Sequence, residues 1–354
     1  MLLEIIAGAL AALFLLAGRV TPRAALGAVD VDLLLVLFAL LVTVEILRAS
    51  GYLDLVVRGS VGRFRTTRAF GIALVAFSGL LATLVTNDVT LFVVIPFTVI
   101  ASRFSDFDVE DAVILEIVAS NLIGCLTPLG NPQNLFVYHR SGWSAAVFVA
   151  TMLPFAGWCA AGLLAAIFLL GPSHAMKRNE VELPATNGYA AAAGAGCFLL
   201  VLLEVARVLD SWPAAIAAAI CGVVFLRRRM LRIDFSIIPL FFFAFIVVEG
   251  MRSFAFELHA SLYGSSIALS QVISNVPATI MLTPFAKGEW RELLYGVNAG
   301  GCGTIIASLA NLLGWRIYIR ESNRDPRFFR RLTAINAAFL VWAALGGWLL
   351  LKAQ

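Results

Sequence analysis

Seven apolar runs, at residues 2–18, 31–47, 143–171, 189–209, 212–226, 235–251 and 333–351, read as helices that cross a bilayer. Between them no polar stretch is long enough to be a soluble domain. Apolar residues are 61% of the 354 and charged residues 14%, whereas soluble domains carry roughly 45–50% and ~25%. The chain is therefore expected to be an all-α polytopic membrane protein. Glu4 and the absence of Lys or Arg before Arg19 leave no positive n-region, so the first run reads as a span rather than a secretory signal.

Four further apolar regions, 69–101, 111–138, 260–286 and 291–319, are interrupted by polar or helix-breaking residues at bilayer depth. An unbroken helix over the 33 residues of the first would be ~50 Å long, against a hydrocarbon core of ~30 Å. It must turn, and Thr86-Asn87-Asp88 is the natural place. A re-entrant hairpin or two short crossings would both return the chain to the side it came from. The region 260–286 reads the same way, and 111–138 and 291–319 read as broken helices. Residues 52–68 mix Leu and Val with four arginines and suit either an interfacial helix or a solvated loop.

With the two re-entrant hairpins adding no net crossing and each broken helix one, about nine transmembrane helices result. The termini then lie on opposite sides. Eighteen of the 26 Lys and Arg fall on the N-terminal side. The positive-inside rule places the N-terminus in the cytoplasm and the C-terminus outside it, in the plasma (bacterial inner) membrane. The net charge of +4 thus reports topology, and no nucleic-acid partner is expected. The five cysteines show no CxxC pair or metal-ligand spacing.

The chain also matches itself. TNDVTLFVVIPF (86–97) aligns without a gap on SNVPATIMLTPF (274–285), setting Asn87 on Asn275, Pro96 on Pro284 and Phe97 on Phe285. NLIGCLTPLGNPQNL (121–135) aligns on NAGGCGTIIASLANL (298–312), with Asn121, Gly124, Cys125, Thr127, Asn134 and Leu135 identical to their counterparts. Glu45 and Glu249 close a third matching pair of segments. Residues 1–171 and 212–354 are read as two repeats, joined by a connector with one linking helix at 172–211. Five crossings separate corresponding elements, an odd number, so the repeats are inverted. Paired broken segments in inverted repeats point to a secondary transporter whose site lies between the repeats.

Non-helical backbone at bilayer depth persists only where protein buries it or it lines a cavity. The two hairpin turns and the breaks at 127–134 and 304–311 supply helix ends whose free carbonyls favour cations and whose free N–H groups favour anions. Thr127, Pro128, Gly130, Asn131, Pro132 and Asn134 stop the helix and bring amides to the break. The second copy keeps Thr304, Ala307, Ser308 and Asn311 but neither proline, so its break is expected to be milder. Asp88 is the one acid at a hairpin turn: a cation ligand or proton carrier, or an N-cap for the helix that follows. Its counterpart is Val276.

Glu45 and Glu249 lie at span ends and suit interfacial anchoring. Glu116 faces the site or pairs with another helix. Cys125 and Cys302 suit close packing, or a thiophilic metalloid. No Lys or Arg lies near the midplane of a broken segment, so an anion would be held by helix dipoles, amides, hydroxyls and a co-bound cation. Substrate contacts are expected from Thr86, Asn87, Thr127, Asn131, Asn134, Ser274, Asn275, Thr304 and Asn311. Coupling of Na⁺ or H⁺ is expected among Asn87, Asp88, Gly130, Asn275, Ala307 and Ser308, with a Na⁺ at the hairpin tips and no other cofactor.

At these residues, TND and SNV followed by PF, and SNLIGCLTPLGNPQNL with NAGGCGTIIASLANL, the chain resembles the ion transporter superfamily. That superfamily includes citrate-transporter-like and divalent-anion:sodium symporters, arsenite permeases and some sodium/proton antiporters. The resemblance implies a scaffold and a transport domain that moves elevator-fashion, and often a homodimer. In its carboxylate branch, Ser-Asn-Thr turns at the hairpin tips bind carboxylate and Na⁺. Here the hydroxyl and amide are kept and the third threonine is lost in both copies. An Asn-Asp turn is more similar to the arsenite-permease and antiporter branches.

The expected function is secondary transport of a small anion, carboxylate or oxyanion, coupled to Na⁺ or H⁺. Within the same fold, a metalloid efflux permease and a sodium/proton antiporter are the alternatives. An intramembrane hydrolase would need HExxH or paired acids in facing spans, and the sequence has neither, so no enzymatic activity is expected. A passive channel, whose filter is also built from re-entrant loops, would show no uphill flux.

Overall fold

The computed structural model describes residues 2–170, 173–205, 208–252, 261–322 and 327–353. The segment ends 171 and 260, and Arg207 and Arg324 of the charge count, lie outside the described residues. Among the described residues the protein is all-helical, as a membrane-spanning chain must be when it forms no closed barrel. It forms two compact units, and each draws on both halves of the sequence. One joins Met1–Leu55 with Leu183–Glu257, the other Val56–Glu182 with Leu258–Gln354.

The first unit contains α1 (Leu2–Leu16), α2 (Pro22–Ala28), α3 (Val31–Ala49), α10 (Gly188–Val205), α11 (Ser211–Cys221) and α12 (Ile237–Arg252). Thr21 caps α2 at the Ala24 N–H and Asp30 caps α3 at the Leu33 N–H, so the chain bends by 50° between them. α1 packs on α12, and α3 on α10 and α11. Glycines allow the close approaches: a Cβ at Gly194 would come within 2.8 Å of Leu47. α11 runs on into a π-helical turn, Gly222–Leu226.

The second unit contains α5 (Thr67–Leu84), α6 (Asn87–Phe104), α7 (Val109–Leu122), α8 (Pro132–Ser141), α9 (Ala145–Leu169), α13 (Leu262–Ile273), α14 (Asn275–Ala286), α15 (Trp290–Ala299), α16 (Leu309–Ser322) and α17 (Arg327–Lys352). The stretch 52–68 opens as a helix, α4 (Tyr52–Val61), which straddles the boundary between the units. α5 packs on α7 and α13 on α15, while α6 lies on α16 and α14 on α8. The second arm of each hairpin therefore rests on the second half-helix of the other half of the chain.

The two hairpins differ in length. α5 and α6 have 18 residues each, enough by length and composition to cross a bilayer, as are α9, α17 and the bent pair α2–α3. α13 and α14 have 12 each, only ~18 Å of helix, too short to span.

The second break is not milder than the first. After α7 the chain makes a 3-10 turn, Gly124–Leu126, and is irregular only over 127–131, whereas after α15 it is irregular over the whole of 300–308. Gly300, Gly301 and Gly303 follow α15, and Gly303 at φ +107 takes a conformation that departs from the helix without a proline. Asn311 then satisfies the freed carbonyls, its Nδ2 donating to Gly301 O (3.0 Å) and Thr304 O (3.2 Å).

Candidate functional site

Four helices begin at the interruptions: α6 and α14 at the hairpin tips, α8 and α16 at the breaks. The first tip is built by a cap. Thr86, in extended conformation, accepts from the Val89 N–H through Oγ1 (3.4 Å), and Asn87 Oδ1 accepts from the Asp88 N–H (2.9 Å). The N-cap is thus Thr86 and not Asp88. Asp88 is 4% exposed, and its Oδ1 has no hydrogen-bond partner.

Each tip is pinned to the break that follows it. The Asn87 N–H donates to Gly130 O and the Asn275 N–H to Ala307 O, both at 2.9 Å. A Cβ at Gly130 would collide with the carbonyl oxygens of Gly124 and Ala82, so glycine is required there. Thr127 ties the break to α5, its Oγ1 donating to Thr83 O (2.6 Å) and accepting from the Gly130 N–H (3.2 Å). In the second copy Thr304 does the same, its Oγ1 donating to the carbonyl of Gln271 in α13 (3.0 Å), and the Gln271 side chain adds further ties. It accepts from the Thr304 N–H (2.9 Å) and donates to the carbonyls of Gly300 (2.8 Å) and Cys302 (3.0 Å).

An amide network joins the two halves. Asn121 Nδ2 donates to Asn311 Oδ1 (2.9 Å), and Asn298 Nδ2 donates to Asn134 Oδ1 (2.8 Å). Each residue of the first bond is aligned in sequence with one of the second. Asn121 Oδ1 also accepts from Asn87 Nδ2 and Ser308 Oγ, both at 3.0 Å. Asn298 Oδ1 accepts from Asn131 (3.3 Å) and Gln133 (3.1 Å). Asn134 Nδ2 holds the carbonyls of Cys125 (3.0 Å) and Thr127 (3.3 Å).

The structure therefore gathers Asn87, Thr127, Gly130, Asn131, Asn134, Ala307, Ser308 and Asn311 around one buried network, with Thr86, Asp88, Ser274 and Asn275 at the adjoining tips. Thr304 lies at its exposed edge. Much of the amide capacity is consumed internally. What is left over is informative: Asp88 Oδ1, Asn131 Oδ1 and Ser274 Oγ are buried without a partner. Buried polar groups are ordinarily satisfied, and the exceptions call for an explanation such as a ligand or ion.

Ser274 has a second peculiarity. It adopts φ 74, ψ 153, a conformation essentially reserved for glycine. Thr86 at the first tip has φ −72. The two tips are thus unlike in both charge and backbone.

Four network residues were absent from the sequence-based site: Asn121, Asn298, Gln133 and Gln271. Asn121 and Asn298 were legible as an identity of the internal alignment. Both lie inside helices ahead of the breaks, where a polar residue reads as packing. Glu116 does not join the network: it is fully buried, and its carboxylate accepts from Thr98 Oγ1 of α6. Cys125 and Cys302 are free and buried.

The model of the citrate transporter family matches residues 1–293. The chain is 34% identical over 342 residues to the inner membrane protein YbiR of Escherichia coli (strain K12), covering 93% of this chain and 90% of that one. It is 33% identical over 332 residues to an uncharacterized transporter of Methanocaldococcus jannaschii, covering 90% and 89%. A 46 kDa membrane protein of Mycobacterium leprae (strain TN) is 22% identical over 373 residues. An all-helical, strongly apolar chain matched by this family over most of its length is an integral membrane protein of the citrate transporter family.

Proposed function

We propose that the protein is a secondary active transporter of a small anion, a carboxylate or oxyanion, driven by Na⁺ or H⁺. The observation that carries this reading is the set of unpartnered buried atoms, Asp88 Oδ1, Asn131 Oδ1 and Ser274 Oγ, at the place where four helices start. Helix N-termini favour an anion. Two free oxygen acceptors, one on a carboxylate, favour a cation or proton beside it. The pair of reciprocal asparagine bonds supports inverted repeats, 1–171 and 212–354, around one shared site.

In this reading Thr86, Asn87, Asn131, Ser274 and Asn275 contact the substrate, and Asp88 is the charged coupling residue. The site-bearing unit is the body that moves in an elevator-type cycle. The protein resides in the inner (plasma) membrane with the N-terminus cytoplasmic and the C-terminus outside, as the distribution of Lys and Arg favours. The resemblance to the superfamily favours a homodimer as its working form. Asp88 in place of the threonine of the carboxylate branch favours one second reading, a metalloid efflux permease, for which Cys125 and Cys302 beside the breaks would offer thiols.

The test is uptake into proteoliposomes of citrate, other carboxylates, inorganic oxyanions and arsenite, each under an imposed Na⁺ or pH gradient. Saturable uphill uptake of an anion by the wild type, with loss of its ion dependence in Asp88→Asn, is the expected result. Ion flux with no uphill movement of any solute would make the protein a channel. Resistance of cells to arsenite, without anion uptake, would favour the permease.

A further inference from the structure

We infer that Glu116 is a proton-carrying site of the transport unit, separate from Asp88 and loaded through the cavity at the α5–α7–α9 end. The inference rests on the transport reading and specifies one of its coupling ions as H⁺. Glu116 stands in the middle of α7 with no exposed surface. Thr98 Oγ1 donates to its Oε1, and Ser78 Oγ donates to its backbone carbonyl (2.8 Å). Its Oε2 has no hydrogen-bond partner. Burial and the Thr98 hydroxyl are the principal influences on this carboxyl.

Thr98 satisfies one oxygen of this carboxyl and leaves the other without a partner. A pure packing role would have been filled by leucine at far lower cost, since an unpaired buried carboxylate is expensive. Its charge state must follow access to water. A cavity lies on the same helices about one turn away, and Glu116 itself does not line it. The cavity, of about 440 Å³, opens between the first turns of α5 and α7 and the end of α9, lined by Arg68, Val75, Asp111, Ala112, Leu115 and His174 among others. Ala112 and Leu115 precede Glu116 by four and one residues on α7, and Val75 precedes Ser78 by three on α5. The floor of the cavity therefore lies about one helical turn, ~5.4 Å, from Glu116 along both helices.

Loading moves one proton from a hydronium ion in the cavity onto Glu116 Oε2, which turns the carboxylate into the neutral acid and leaves water behind. Unloading returns the proton to water. Once protonated, the carboxyl is neutral and needs no counter-ion in the buried state.

The experiment is pH-difference infrared spectroscopy of the purified protein in lipid, which reads the C=O band of a protonated carboxyl without requiring a known substrate. The wild type and Asp88→Asn should both show a band in acid-minus-alkaline spectra that is lost in Glu116→Gln. Thr98→Val, which keeps the carboxyl and removes the hydroxyl from Oε1, should shift the band, so the assignment survives a failure of the glutamine variant to fold. Gly71 lines the cavity, and a Cβ there meets nothing within 4 Å; Gly71→Leu should slow appearance of the band after a pH jump. A band that persists in Glu116→Gln, or fails to move in Thr98→Val, overturns the inference. Counterflow of citrate in the same membranes judges the transport reading separately: counterflow with no Glu116 band removes the residue from this role, and the band without counterflow removes citrate as substrate.

Discussion

Trp158 of α9 and Trp342 of α17 exchange hydrogen bonds, each indole N–H donating to the other's backbone carbonyl, at 2.9 and 3.0 Å. Their rings stack with centroids 4.6 Å apart. Each tryptophan is followed four residues later by a glycine, Gly162 and Gly346, and each glycine lies under the opposite indole. A Cβ at Gly162 would stand 2.7 Å from Cδ1 of Trp342, and one at Gly346 would stand 2.6 Å from Cγ of Trp158. Tryptophan and glycine at this spacing form a reciprocal clasp between one helix from each half of the chain.

The clasp should be a stability element rather than part of transport. Trp158→Phe keeps an aromatic ring but loses the five-membered ring over Gly346 and one hydrogen bond, the bond alone being an expected cost of about 1 kcal/mol. Gly346→Val drives a branched side chain into the indole and should cost more, about 1–3 kcal/mol. Thermal unfolding in detergent ranks the two. A Gly346→Val protein as stable as wild type would contradict this packing.

Asn121 should be the most sensitive amide of the network. Its side chain serves Asn87, Asn311 and Ser308 together. Asn121→Ala leaves three buried groups wanting, at about 1–3 kcal/mol for each that finds no substitute. Asn121→Asp keeps the acceptor for Asn87 but can no longer donate to Asn311. Both should abolish uptake in proteoliposomes; if Asn121→Ala transports normally, the network does not hold the site.

Ser274→Gly separates stability from function. The serine holds a conformation that costs on the order of 1–3 kcal/mol for any residue with a Cβ, so glycine should raise the melting temperature. Because Ser274 Oγ is one of the free buried atoms, the same change should weaken substrate binding. Raised stability with unchanged apparent affinity would leave Ser274 a backbone outlier with no role in binding.

Gly130 and Ala307 test whether the paired tips are equally constrained. Both carbonyls accept from the first amide of a hairpin's second arm. Gly130→Ala would push a methyl group into two backbone carbonyls and should prevent folding or dislocate the Asn87 tip. The reverse change, Ala307→Gly, frees backbone and removes one buried methyl group, and should cost about 1–2 kcal/mol. Equal tolerance at the two positions, judged by yield of monodisperse protein, would show that the first break can relax.

The sequence by itself determined the class of molecule and the location of its interruptions. Water-free surroundings force every backbone group into a helix or a protected break, so clusters of proline, glycine and asparagine inside apolar runs mark breaks, whereas lone ones such as Pro96, Pro154 and Gly162 stay within helices. The duplication then marked Asn87 with Asn275 and Asn121 with Asn298. Local sequence misjudged the second break, because it weighed the missing prolines above three glycines. Only tertiary structure decided which polar atoms remain free. Side-chain amides such as Asn134 and Asn311 reach partners more than 160 residues away, and nothing along the chain tells whether an amide ends on another amide or faces an open site. Partition of the helices was likewise beyond the one-dimensional pattern. Each compact unit takes elements from both halves, since packing of small residues against neighbouring helices, rather than chain order, sets which helices associate in a membrane.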